Sequence, residues 1–160
     1  MKITPEWLAL QQAYVVCQGH QAALRDAIED LKQRKLRAAD LDNLGKEDRR
    51  LLDQFAYRYT RMQDDMGARL IPTVLRALGE EIAALPMLDR LNRMEQLGWL
   101  PSAEEWADLR RIRNEFTHDY PETIAERFER LQLAIASAQT VTEIFNAMRH
   151  KIRTRFPGID

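Results

Sequence analysis

Cysteine is almost missing from this chain: Cys17 is the only one in 160 residues, so no internal disulfide can form. A lone thiol points to a reducing compartment. Histidine is nearly as scarce, with three copies. His20, His118 and His150 lie far apart, with no paired-histidine or His/Cys spacing, so no metal site is expected. Glycine and proline number six each and fall mostly between periodic segments. That leaves no glycine-rich phosphate loop, no low-complexity stretch and no internal repeat, and no cofactor is expected. The start, MKITPEWLALQQ, has no apolar leader core. The uninterrupted apolar runs are far shorter than the roughly 20 residues a membrane helix needs. A cytoplasmic protein with no membrane partner is expected. Charge of one sign is lacking too. Charged residues make up 31% but the net charge is −1, so any nucleic-acid binding must come from local patches. The candidates are Arg110 with Arg111, the run 32–37, and the tail with Arg149, His150, Lys151, Arg153 and Arg155. Each is also what a solvated helix face or end looks like.

What remains is helical periodicity. Hydrophobic residues are 45%, enough for one domain of this length to build its own core. Thr4, Pro5 and Glu6 offer a cap, a first-turn proline and a carboxylate at the positive end of a helix. Trp7, Leu10, Tyr14, Cys17, Gln21, Leu24, Ile28 and Leu31 then step by three and four, the inner stripe of a bundle helix. A loop is expected at 40–45. The second segment carries Leu52, Phe55, Tyr59, Met62 and Met66, with a kink expected at Pro72 and an end at Gly79. A short segment spans 86–97 and stops at Gly98. The next starts at Pro101 and Ser102 and carries Trp106, Leu109, Arg113 and Phe116. Pro121 opens the last, with Ile124, Phe128, Leu131, Ile135, Ala138, Thr142, Phe145 and Ile152. No strand-like alternation occurs. The chain reads as all-α, an antiparallel up-and-down bundle of four to five helices in a single domain 1–160, with the basic tail 149–160 as a flexible end.

One residue breaks the stripe. Arg113 takes the inward register between Leu109 and Phe116, so it must be paired, snorkel, or face a polar cleft. The plain reading is a salt-bridged arginine with Asp64 or Asp65 as partner. Five residues on stands His118, about 140° round a straight helix. Pro121 disfavours helical geometry at Tyr120, so the helix should end near His118 or Asp119. A helix C-terminus and Asp119 both favour imidazolium, a state suited to acid–base work. Asn114, four residues before His118, can lie on its face and orient it. Arginine followed by histidine at this spacing arises easily by luck. Requiring Asn114 and Tyr120 at fixed offsets as well, in RNEFTHDY, lowers the chance rate to roughly one in several thousand. On the second segment Arg58, Arg61, Asp64 and Asp65 form a supporting constellation. Arg61 and Asp65 can pair at four residues' spacing, and the group could hold Arg113 or His118; it also reads as a solvated face.

The string RNEFTHDY resembles the Arg-x4-His-x-Tyr motif of the HEPN superfamily, in particular the HepT-like toxins paired with minimal nucleotidyltransferase antitoxins. The resemblance implies a HEPN-like fold and a homodimer whose two motifs line one composite cleft. It also implies metal-independent cleavage of RNA by an endoribonuclease toxin. By position, Arg113 would bind the scissile phosphate, His118 would act as general acid–base, and Asn114 would orient the site. Tyr120 matches the tyrosine that the cognate antitoxin modifies with AMP, which would add bulk and negative charge beside the site. The alternative is a non-catalytic HEPN module that serves as partner or substrate of a nucleotidyltransferase.

Overall fold

The structure, a computed structural model, describes residues 2–118 and 122–160. Helix α1 (Pro5–Arg34) starts where Thr4 Oγ1 accepts the Trp7 N–H at 3.1 Å. A short 3₁₀ turn (Ala38–Asp42) precedes helix α2 (Lys46–Asp65), whose N-cap is Gly45. A π turn (Met66–Leu70) joins α2 without a break to α3 (Ile71–Ala77). Helices α4 (Met87–Gln96), α5 (Ala103–Thr117) and α6 (Ile124–Arg155) follow. There is no strand among the described residues, and no helix there is long and apolar enough to cross a membrane.

Local chemistry sets these boundaries. Gly79 (φ 86°) and Gly98 (φ 78°) stop α3 and α4 in the left-handed region, which glycine enters without a Cβ clash. Ser102 Oγ accepts the Glu105 N–H at the start of α5, and Thr123 does the same for Glu126 in α6. The last helix therefore starts at Ile124, with Thr123 as its cap; Pro121, the start expected from sequence, lies outside the described residues. The kink expected at Pro72 takes the form of the π turn one step earlier. There the Ile71 N–H reaches back five residues to the Met66 carbonyl, just before a proline that can donate nothing.

The stripes meet as the periodicity requires. Tyr14, Cys17, Leu24, Phe55, Tyr59, Met62, Trp106, Phe145 and Met148 are buried in one core. Three links run α1 against α2 in opposite directions: Arg34 to Asp48, His20 to Arg58, and His20 to Asp65. Between α2 and α5, Phe55 and Tyr59 meet Phe116, while Asp64 meets Arg113; this pair is antiparallel too. Gln21 ties α1 to α6 through the Thr142 carbonyl and the Asn146 amide oxygen. The basic tail is not a loose end. Residues 149–155 are the last turns of α6, Phe156 packs on Trp99, and Ile159 is buried. Phe156 and Ile159, just beyond the basic run, supply burial that the charges conceal.

Burial, with the Asp65 carboxylate nearby adding to it and Arg69 opposing it, pushes the Cys17 thiol up to about 12. The thiolate is the reactive form. A disulfide reagent such as dithiobis(nitrobenzoate) at pH 8 should therefore leave the native thiol untouched. It should titrate one thiol per chain once urea unfolds the protein; rapid reaction under native conditions would place Cys17 at the surface.

Candidate nucleic-acid interface

The inward register of α5 carries Arg113 to the seam with α2. Its side chain is 20% exposed and Nη2 forms an ion pair with Asp64, whose side chain is 47% exposed. Nη1 donates to Asn114 Oδ1 at 3.3 Å and to Thr117 Oγ1 at 3.4 Å. Thr117 Oγ1 itself bonds the Asn114 carbonyl. The guanidinium is thus held from both its own helix and its neighbour. Above it lies the aromatic group of Phe55, Tyr59 and Phe116, with ring centroids 5.6–5.9 Å apart. Below it opens a cleft of about 340 Å³, which Arg113, Asn114 and Arg110 line from α5, Gln63 and Asp64 from α2, and Gly67 and Ala68 from the π turn.

The π turn shapes that cleft. A Cβ on Gly67 would stand 3.7 Å from Trp106 Cζ2, so the bare glycine passes close beside the edge of that buried indole. Arg110, on the solvent side, has no ion-pair partner in the described residues, whereas Arg111 pairs with Asp108 and Glu115.

His118 is the first residue past α5. Its backbone is extended (φ −86°, ψ 136°) and its N–H still donates to the Glu115 carbonyl. The residue is exposed. Arg130 on α6 clamps this end: Nη1 donates to the carbonyls of Glu115 (2.9 Å) and His118 (2.8 Å), and Nη2 pairs with Glu122. A cation on the last carbonyls of a helix is electrostatically favourable. Arg130 therefore positions the backbone that carries the histidine, and nothing in its sequence surroundings marks it. Tyr120, the expected modification site, lies outside the described residues together with Asp119 and Pro121.

The four residues of the expected supporting constellation all lie on α2 but face two different neighbouring helices. Asp64 faces α5 and takes Arg113. Asp65, one residue on and about 100° round the helix, faces α1. There its Oδ2 meets His20 Nε2 at 2.9 Å, with Arg61 at 3.6 Å and Arg69 Nε at 3.7 Å from the carboxylate. Arg58 Nη1 lies 3.1 Å from His20 Nδ1. A guanidinium only donates, so Nδ1 accepts and Nε2–H is the group that donates to Asp65. His20 and Asp65 are both buried. This α1–α2 polar link went unseen in the sequence because its members lie 38 and 45 residues apart. Among the described residues no three His, Cys, Asp or Glu side chains cluster as metal ligands.

Burial pushes the Tyr59 phenol up to about 12, against the opposing pull of Arg113 and of Ser137; the hydroxyl approaches Ser137 without completing a hydrogen bond. A folded pKa above the unfolded value of 10.0 means the stabilisation is complete below pH 10 and is lost as pH rises through 12. Urea unfolding midpoints should fall between pH 9.5 and pH 11.5 more steeply for wild type than for Tyr59→Phe. Equal slopes would show the phenol to be freely solvated.

No family model matches the chain, and neither do the curated proteins or the solved structures compared with it.

Proposed function

We propose that the protein is a metal-independent endoribonuclease of the toxin type, acting as a homodimer, with Arg113 and His118 as its chemical groups and Asn114 as their orienting neighbour. The observation that carries this reading is the end of α5. Arg113 and Asn114 line an open cleft beside the exposed Arg110, which has no ion-pair partner among the described residues, and His118 stands exposed where the helix stops.

RNA brings its own nucleophile, the 2′-hydroxyl, so strand scission needs proton transfer and charge stabilisation. A positioned imidazole contributes roughly 10²- to 10⁴-fold. A preorganised cation on the developing phosphorane contributes a comparable factor. The planar fork of Arg113 suits phosphate oxygens in pairs. Substrate phosphate would take the place of Asp64 on Nη2, while the contacts to Asn114 and Thr117 hold the fork in register. His118 would take the 2′-hydroxyl proton or protonate the departing 5′-oxygen. A second copy across a two-fold axis would bring a second arginine and histidine to the same groove, so that residues on different faces of α5 can serve one cleft. A cognate minimal nucleotidyltransferase would silence the site by transferring AMP from ATP to Tyr120, with release of pyrophosphate. That places negative charge two residues from His118.

One observation favours the second reading, a non-catalytic partner module of a nucleotidyltransferase. Asp64 already occupies Arg113 Nη2, as a purely structural ion pair would. The two readings separate cleanly. Purified wild type should cut single-stranded RNA with undiminished rate in EDTA. His118→Ala should lose at least 100-fold in rate while its circular dichroism and molecular mass in solution stay unchanged. Intact RNA after incubation with wild type, freed of any partner, would sink the ribonuclease reading. Under either reading, ATP and the cognate nucleotidyltransferase should add AMP mass to the Tyr120 peptide. Modification persisting in Tyr120→Phe would move the acceptor elsewhere.

A further inference from the structure

The floor of the α5 cleft holds polar atoms that nothing in the mechanism above uses. Gln63 is 2% exposed, yet neither its Nε2 nor its Oε1 has a hydrogen-bond partner among the described residues. Arg113 Nε, on the opposite wall, is buried and unpartnered as well. Buried polar groups in folded proteins are nearly always satisfied, and an unpartnered one calls for a reason. Gln63 has none as a core residue: its neighbours in the stripe, Tyr59, Met62 and Met66, pack apolar surface, and a leucine of similar size would serve there.

Together the three atoms present two donors and one acceptor. Their complement is a flat group with two acceptors and one donor along one edge. The pyrimidine bases have that edge. Cytosine offers O2 and N3 as acceptors and N4–H as donor; uracil offers O2 and O4 as acceptors and N3–H as donor. Guanine presents one acceptor and two donors on its pairing edge, and adenine one of each. Size agrees with chemistry. The cleft runs past Gly67, where no side chain intrudes, and its volume of about 340 Å³ is at the small end of ligand pockets. Arg110 at the rim is placed for a phosphate of the same nucleotide.

We infer that this cleft is a pyrimidine-nucleotide subsite in which the Gln63 amide reads the base. The inference rests on the proposed ribonuclease reading, whose substrate it narrows to RNA with a pyrimidine beside the scissile phosphate, but its test does not depend on cleavage. Full-length ¹⁵N-labelled protein is titrated with the 3′-monophosphates of cytidine, uridine, adenosine and guanosine, following the Gln63 side-chain amide and the Trp106 indole N–H by NMR. Both signals shift with the pyrimidine nucleotides, which bind at least ten-fold more tightly than the purine ones. Gln63→Leu loses that ten-fold preference. Gln63→Glu, which accepts but does not donate, shifts the preference towards cytidine with its N4–H. Gly67→Val, which adds bulk to the π-turn wall of the cleft, weakens all four nucleotides. Equal binding of purines and pyrimidines by wild type, wild-type selectivity in Gln63→Leu, or no binding at all overturns the inference; the wild-type arm decides it even where a variant fails to fold. RNA digestion with the same samples separates the two readings. Selective binding without cleavage keeps the subsite and removes the ribonuclease, whereas cleavage without base preference does the reverse.

Discussion

A guanidinium set in the apolar seam of a helix pair has to be compensated, and the layout around α5 follows from how this chain does so. Arg113 lies one turn after the buried Leu109 and beside Phe116, where a leucine would close the α2–α5 seam. The charge is met by Asp64 from across the seam and by Asn114 and Thr117 from its own helix. A fully buried pair would be worth several kcal/mol to break. With Asp64 nearly half exposed, water screens this one, and about 0–1 kcal/mol is the appropriate scale. The pair therefore does little for stability. Its consequence is positional: two wettable groups facing each other keep the seam open below the aromatic cluster, and that opening is the cleft.

The π turn completes the arrangement. A helix that ran on regularly from Asp65 would carry the i→i−4 ladder into Pro72, which has no N–H to give. The chain widens one turn earlier, and the cost falls on Met66–Leu70, where Gly67 and Ala68 are small. The widened turn lies alongside Trp106, and Gly67, Ala68 and the indole line the same cleft. Such turns recur at functional sites, and here the reason is visible: the residues that relieve the proline also leave space on the α5 side of the helix.

How much of this was legible depends on the range of the interaction. The stripes on α1, α2 and α5, the caps at Thr4 and Ser102 and the stops at Gly79 and Gly98 are set by neighbours within four residues, and reading the sequence finds them. So is the end of α5 near His118, which the following proline announces. That Arg113 was out of place on its stripe could be read directly; its partner could only be narrowed to two adjacent aspartates, because choosing between them needs the angle at which α2 meets α5. The His20 link, the Arg130 clamp and the packing of Phe156 on Trp99 join residues that are distant in sequence or off any stripe. Gln63 was invisible for a different reason. A glutamine beside Met62 in a charged helix looks like surface, and only its burial without partners sets it apart.

The same carboxylate that keeps Arg113 solvated also sets what can dislodge it. A phosphate arriving alone exchanges one anion for another on Nη2, and the Asp64 side chain, tethered on α2, competes at a high local concentration. The exchange favours the newcomer only when it brings further contacts in the same event: a second cation such as Arg110, and a group that satisfies the buried amide of Gln63. Binding of that kind discriminates by the number of groups satisfied at once, since each polar group left unpaired in the cleft is a penalty against the wrong ligand. In the proposed subsite Asp64 would thus act as a filter, admitting a nucleotide that fills the whole cleft over a bare anion that fills only the fork. A site with an unopposed Arg113 would bind phosphate more tightly and distinguish its ligands less.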